Sequence, residues 1–194
     1  MSNKEGRILF MVWGLSGVGK DTLVNRYCDE NPEYSIVKSL TTRKRRYLGE
    51  DTHEFVTEDE FKAQGEMIAE TYYNGNHYGA SKKQLDEGDF YIVDKRGIQD
   101  VIRKYKTDRK LVVIYVYAPI FIRLHRLIRR DGLLSGIKRF MYDSIFQSLA
   151  TLRGVQEFDV VTVRSANDPY ESYMQFKATI LASYLANKDR VDIR

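Results

Sequence analysis

The sequence predicts an α/β fold, a three-layer, doubly wound parallel sheet, and three observations predict it. The apolar run Ile8-Leu9-Phe10-Met11-Val12-Trp13 leads directly into the glycine loop Gly14-Leu15-Ser16-Gly17-Val18-Gly19-Lys20-Asp21-Thr22, and a helical pattern follows. Two further runs, Phe90 to Asp94 and Leu111 to Tyr117, are dense in β-branched and aromatic residues, as expected of parallel strands covered on both faces. Helical stretches alternate with these strands to the end of the chain.

Strand, glycine loop and helix start form a phosphate cradle, because successive backbone N–H groups and a helix N-terminus converge on one anion. Gly14, Ser16, Gly17, Val18 and Gly19 are the expected loop contacts, and Lys20 adds a mobile positive charge for the outer phosphates. Thr22 is the nearest hydroxyl for a magnesium ion or a phosphate oxygen. Asp21 stands where this P-loop pattern normally has Ser or Thr, so its carboxylate either binds the metal or caps the helix and faces solvent. The alternative to the cradle is a Gly-rich βα turn that binds nothing.

A chain of 194 residues suffices for one well-buried core with a small insertion, not for two large domains. Hydrophobic content of 43%, charged content of 30% and three prolines are those of a folded globular protein. The single Cys28 rules out an internal disulfide and suggests a small buried hydrophobe in a reducing cytoplasm. Residues 1–7 lack the apolar core and cleavage site of a signal peptide, and the longest apolar stretch, Leu111 to Ile122, is interrupted by Pro119 and too short to span a bilayer. Net charge is +4, with basic residues bunched at Arg43 to Arg46 and Arg123 to Arg139. Beside a phosphate loop, such bunching points to phosphorylated small molecules rather than nucleic acid.

Taken in order, Thr22 to Glu30 has helical spacing with Leu23, Tyr27 and Cys28 inward, and Asn31-Pro32 ends it. Tyr34 to Lys38 reads as a short strand. Ser39 to Arg46 is polar, strongly basic and too polar for core, and Gly49-Glu50 is a turn. Phe55-Val56-Thr57, a helical turn at Glu58 to Lys62, and a hairpin of Met67 to Tyr73 with His77-Tyr78-Gly79 around Asn74-Gly75-Asn76 make a small β-rich insertion. Lys82 to Glu87 is a short helix, Gly97 to Lys106 a crossover helix, and Pro119 to Arg130 a helix interrupted at Asp131-Gly132. Leu134 to Leu152 is helical again, Phe158 to Val163 the last strand, and Pro169 to Ala186 the last helix, with Tyr173, Phe176, Ile180 and Leu181 on one face.

Phosphoryl transfer needs positive charge around the moving group and both substrates in line. Lys20 supplies charge from the donor side, Arg43 and Arg46 suit an acceptor phosphate, and Arg126, Arg129, Arg130 and Arg139 suit a lid, a solvated helix face being the alternative for some of them. Asp94, at the C-terminal end of a central strand, points at the crevice where ligands of such sheets bind. It either holds a water on magnesium, positions Arg43, or caps the helix after it.

At these residues the chain resembles the guanylate kinase family. The resemblance runs through the P-loop, Thr41-Thr42-Arg43-x-x-Arg46 with Gly49-Glu50, Phe55-Val56-Thr57-x-x-x-Phe61, Gly75-Asn76-His77-Tyr78-Gly79, Val93-Asp94-x-x-Gly97, the arginine-rich lid and Phe158-Asp159-Val160-Val161. It implies ATP-dependent transfer to a nucleoside monophosphate with magnesium, by a monomer or homodimer. It implies one domain with core 1–38, 82–125 and 141–194, acceptor-binding region 39–81 and lid 126–140. Arg43, Arg46 and Tyr78 would hold the acceptor phosphate, Ser39 and Asp94 would lie near the base or its phosphate, and Arg130 and Arg139 would close over ATP.

The departures fall in the base pocket. Family members place a glutamate where this chain has Ala69, Ser or Thr where it has Ala80, and usually tyrosine where it has His53, while Glu70 and Ser81 each lie one residue late. A shift of one on a strand points a side chain to the opposite face, unless a local bulge returns it. Losing a carboxylate on guanine would forfeit roughly 1.5–3 kcal/mol, one or two decades in affinity. His53 either bonds a phosphate or is a surface histidine. The readings are thus a GMP or dGMP kinase, a divergent kinase for another nucleotide or a sugar phosphate, and a binding module without turnover.

Overall fold

The computed structural model describes residues 7–45, 47–73, 75–143 and 160–191. Arg46, Asn74, residues 144–152 of the expected sixth helix, and Phe158-Asp159 lie outside them. Strand β1 (Leu9–Trp13) precedes helix α1 (Lys20–Glu30), then come β2 (Leu40–Thr41), β3 (Glu54–Phe55), α2 (Glu58–Ala63), β4 (Ala69–Tyr73), β5 (Asn76–Ala80) and α3 (Lys82–Glu87). Next are β6 (Phe90–Ile92), α4 (Lys95–Lys104), β7 (Leu111–Tyr117), α5 (Ile120–Asp131), α6 (Leu133–Tyr142), β8 (Val160–Arg164) and α7 (Pro169–Val191). One sheet has the order β6-β1-β7-β8 and the other β3-β2-β5-β4. The fold is the expected α/β one, a parallel sheet flanked by helices.

The chain divides into two compact units, residues 1–11 with 32–111 and residues 12–31 with 112–194. In the first, Ile8, Leu9, Phe10 and Met11 are fully buried, and Phe10 stacks on Phe90 with ring centroids 5.1 Å apart. Arg109 is buried with them, its guanidinium donating to the carbonyls of Leu85, Gly88 and Ile8 and lying 3.5 Å from Asp89. The expected strand at Tyr34 to Lys38 is a single bridge, Ile36 to Phe90. Asp89 is the reason: its carboxylate accepts from the Ser35 N–H at 2.9 Å, and a side chain that takes a backbone donor competes with a ladder.

The second sheet carries its own small core of Leu40, Phe61 and Met67, with Val56 packed on it. This corrects the reading of Ser39 to Arg46 as too polar for core, since Ser39, Leu40 and Thr41 are all buried. Leu40 fills the small core and the Thr41 hydroxyl donates to the His77 carbonyl, so only the residues from Thr42 onward reach the surface. The hairpin forms as expected, with Ala69 opposite Ala80, Glu70 opposite Gly79, Thr71 opposite Tyr78 and Tyr72 opposite His77.

In the second unit β7 and β8 pair in parallel, and Trp13 packs on Tyr115 at 4.8 Å. Helix α1 starts two residues earlier than expected and buries Leu23, Val24 and Tyr27, leaving Cys28 half-buried. On α7, Tyr173, Phe176 and Ile180 are buried but Leu181 is 61% exposed. Each helical step rotates about 100°, which carries Leu181 off the face that Ile180 shares with the others. Helix α6 packs on α5 without a side chain at Gly136, where a Cβ would stand 2.7 Å from the Ile128 nitrogen.

Tyr173 also ties α7 to the end of α1 by donating its hydroxyl to Glu30, with the Arg26 guanidinium 4.0 Å above its ring. That bond holds the Glu30 carboxyl below its ordinary 4.5, and burial with the Glu30 charge pushes the phenol up to about 12. A carboxyl lowered in the folded state contributes stability above its unfolded pKa and loses it as pH falls through the folded value. Tyr173→Phe is therefore expected to flatten the decline of Tm below about pH 4.5, and an unchanged pH–Tm slope would contradict the pairing.

Candidate active site

The phosphate loop lies in the second unit. Gly14 is required by close approach, since a Cβ there would stand 2.1 Å from the Val116 carbonyl oxygen. Gly19 takes a φ of 96° and caps α1 without a side-chain bond, which leaves the first-turn N–H groups uncapped by any side chain. Lys20 folds over its own loop, Nζ donating to the Gly14 carbonyl at 2.7 Å and to that of Leu15 at 3.3 Å. Burial lowers its pKa, opposed by Asp21 and Asp143 and assisted by Arg139 and Arg123. Asp21 and Thr22 are exposed on the first turn of α1.

Arginines from α5 and α6 surround this loop. Arg126 donates to the carbonyls of Gly17, Val18 and Ala166 and to the Ser165 hydroxyl, so it braces the loop from behind. Arg139 Nε donates to the Ser16 hydroxyl at 3.2 Å, and Asp131 pairs with Arg130 at 2.8 Å and lies 3.8 Å from Arg139. Arg129 is exposed. Sequence reasoning missed Arg123, which is buried, donates from Nε to the Ser16 carbonyl at 3.2 Å, and lies over Phe140. Its position three residues before Arg126, one helical turn earlier, was the available signal.

The described residues expected to hold an acceptor lie in the first unit, about the β3-β2-β5-β4 sheet. Residues directly opposite in an antiparallel pair share a face, so Ala69, Ala80, Thr71 and Tyr78 face one way and Glu70, Gly79, Tyr72 and His77 the other. Packing agrees with this: a Cβ on Gly97 of α4 would lie 3.8 Å from the Ala69 Cβ, whereas one on Gly79 would meet Phe61 and Met67. Around Tyr78, the Ser39 hydroxyl lies 2.9 Å from His53 Nδ1, and the His53 ring meets Tyr78 at 5.7 Å. Arg43 makes a forked pair with Glu50 at 2.8 and 3.2 Å and interacts with the Tyr78 hydroxyl. Burial is the largest single influence and opposes the Arg43 charge, but Glu50 and Tyr78 together raise the pKa. Arg43 Nε remains buried without a hydrogen-bond partner among the described residues.

Two expected acceptor residues are placed elsewhere. The hairpin ladder from Ala69 to Tyr73 carries no bulge, so Glu70 stays on the opposite face, 3.2 Å from His77 Nδ1. The Ser81 hydroxyl closes a capping box with Gln84 at the start of α3. Asp94 caps α4, Oδ1 accepting from the Gly97 N–H at 2.7 Å, and its Oδ2 accepts from the Thr71 hydroxyl at 3.2 Å. The cap was one of the readings open in the sequence. Glu50, read there as part of a turn and of the family motif but given no role, is 1% exposed and is the partner that orients Arg43.

A glycine cradle on a parallel sheet, with a lysine inside it and arginines on the helices behind it, defines a P-loop phosphotransferase. Within that class the chain belongs to the guanylate kinase family, whose family model matches residues 6–183. It is 34% identical to the guanylate kinase of Ralstonia nicotianae over 136 residues, covering 64% of this chain and 60% of that protein. It is 25% identical to that of Trichormus variabilis over 184 residues, 89% of this chain and 88% of that protein. The crystal structure of guanylate kinase from Anaplasma phagocytophilum has the same fold, with a TM-score of 0.57 over 92% of this chain and 87% of that one at 18% identity.

Proposed function

We propose that this protein transfers the γ-phosphoryl group of ATP to a nucleoside monophosphate, GMP or dGMP being the family's acceptor. The observation that carries the reading is the cradle, with an α1 N-terminus that no side chain caps and Lys20 folded inside it. There Gly14, Ser16, Gly17, Val18 and Gly19 surround the donor phosphates, Lys20 swings from the loop carbonyls to the transferring group, and Arg126 keeps the loop in shape. Arg130 and Arg139 exchange Asp131 for phosphate oxygens as the lid, residues 126–140, closes. On the acceptor side, residues 39–81, Arg43 and Arg46 with Tyr78 hold the monophosphate, and Ser39, His53 and Asp94 line the nucleoside.

Magnesium fits the donor set. The first turn of α1 exposes a carboxylate and a hydroxyl, and Mg2+ is ordinarily held by one or two protein ligands plus phosphates and water. Thr22 and Asp21 are the residues that would hold it. When bound, the ion neutralises charge on the phosphate oxygens. Among the described residues no helix is long and apolar enough to cross a membrane; we read the protein as a cytoplasmic enzyme, a monomer or homodimer.

A second reading, in which the acceptor carries another base or is a phosphorylated sugar, is favoured by one observation. The face that bears Tyr78 has the Cβ atoms of Ala69 and Ala80 where a guanine-reading carboxylate and hydroxyl would stand, and Glu70 is turned to His77. A coupled ADP-release assay across GMP, dGMP, AMP, CMP, UMP, dTMP and ribose phosphates separates the readings. A guanine preference supports the first, any other preference the second, and no turnover with all of them sinks both. Ala69→Glu is expected to raise kcat/KM for GMP by about tenfold or more relative to the other acceptors, the worth of one charge-assisted bond.

A further inference from the structure

The phosphate loop already holds an anion of the protein's own. The Ser16 N–H donates to Asp143 Oδ2 at 2.9 Å, and Asp143, the C-terminal cap of α6, is 1% exposed. Its charge acts on Lys20, Arg123 and Arg130, and the same helix delivers Arg139 to the Ser16 hydroxyl. Arg123 Nη2 is buried there with no hydrogen-bond partner among the described residues. The backbone at Asp143 does not call for a carboxylate, since it stays in the αR region with its N–H on the carbonyls of Arg139 and Phe140. A buried carboxylate also costs free energy unless cations and donors surround it. Around Asp143 these are the Ser16 N–H and the charges of Lys20, Arg123 and Arg130, on the glycine loop and the helix after β7.

We propose that the Asp143 carboxylate is an internal stand-in for a nucleotide phosphate oxygen: it neutralises the cradle when no nucleotide is bound, and the incoming phosphates take over its Ser16 N–H and its cationic neighbours. The exchange frees the end of α6 as ligand enters, so that occupancy of the loop and the position of Arg139 change together. The inference rests on the ATP-binding reading above.

Titration calorimetry of the full chain and of Asp143→Asn, with ATP and with inorganic tripolyphosphate, tests it. The amide keeps shape and an acceptor for Ser16 but removes the competing charge, so both ligands should bind the variant about tenfold more tightly, the difference between a charge-assisted and a neutral bond. Equal or weaker binding by the variant, as for a residue that merely supports the loop or a metal, overturns the proposal while leaving ATP binding intact. Binding of neither ligand by either protein overturns the ATP reading itself. Should the variant fail to fold, the unsubstituted protein decides: saturating tripolyphosphate should shift the Asp143 carboxyl carbon resonance, and an unmoved resonance overturns the exchange.

Discussion

Lys20→Ala is expected to abolish phosphoryl transfer while leaving the fold in place. In the free protein the ammonium of Lys20 donates to the carbonyls of Gly14 and Leu15, and these oxygens accept water when it is removed. Burial and the nearby Arg139 and Arg123 work against its charge, so its loss relieves cationic crowding and Tm should stay within a few degrees of the unsubstituted protein. Catalysis has no such substitute. Removing one preorganised donor from a charged transition state typically costs about 10²–10³ in kcat, and this lysine is the only lysine in the loop sequence. Lys20→Arg should not restore the rate, because a planar guanidinium cannot occupy the space of a compact ammonium. The lowered pKa adds a direction for the free enzyme: Lys20 becomes neutral at lower pH than the ordinary 10.5, so kcat/KM should fall on the alkaline side before that value as pH rises. Rates near those of the unsubstituted enzyme in Lys20→Ala would refute the donor site.

Arg43 is expected to carry the largest single effect on stability. Its partner Glu50 is 1% exposed, also accepts from the Thr52 hydroxyl at 3.1 Å, and has the Arg45 guanidinium on its backbone carbonyl. Arg43→Met removes the forked partner of that buried carboxylate, and breaking a buried pair from one side costs up to about 3–5 kcal/mol. Removing both charges in Arg43→Met with Glu50→Met should return most of the stability, because an apolar pair of similar volume is often neutral or better. Activity should not return with it: lacking the Arg43 guanidinium, the double variant should show KM for the nucleoside monophosphate raised about 10- to 100-fold, the worth of a charged hydrogen bond. Denaturant melts and steady-state kinetics on the four proteins check this. A single Arg43→Met variant as stable as the parent would contradict the ion-pair account, and an unchanged KM in the double variant would remove Arg43 from the acceptor site.

What was legible in the sequence was what local signals fix. The glycine loop, the Asn74-Gly75 hairpin and the Asp94-x-x-Gly97 cap each announce themselves within a few residues, while the hairpin register came from its strand pairing. That register also settled the one open question on β4, since its ladder has no bulge to return Glu70 to the Tyr78 face. Strand β2 was hidden because two residues have no period, and the burial of Ser39 to Thr41 comes from pairing with β3 and β5. Buried charge was hidden for the same reason. Arg109 with Asp89, and Arg43 with Glu50, look like surface residues until distant carbonyls and carboxylates enclose them. Asp143 gave no signal, since 127 residues separate it from the Ser16 N–H it meets.

In the proposed reaction the γ-phosphoryl group of ATP moves from the cradle to a nucleoside monophosphate. Its most direct test is to incubate the protein with magnesium and ATP labelled in the γ-phosphate, add each nucleoside monophosphate in turn, and separate the products. Label in the corresponding nucleoside diphosphate, with none in Lys20→Ala, is the predicted result. Label that remains in ATP with every acceptor, or leaves only as inorganic phosphate, would contradict it.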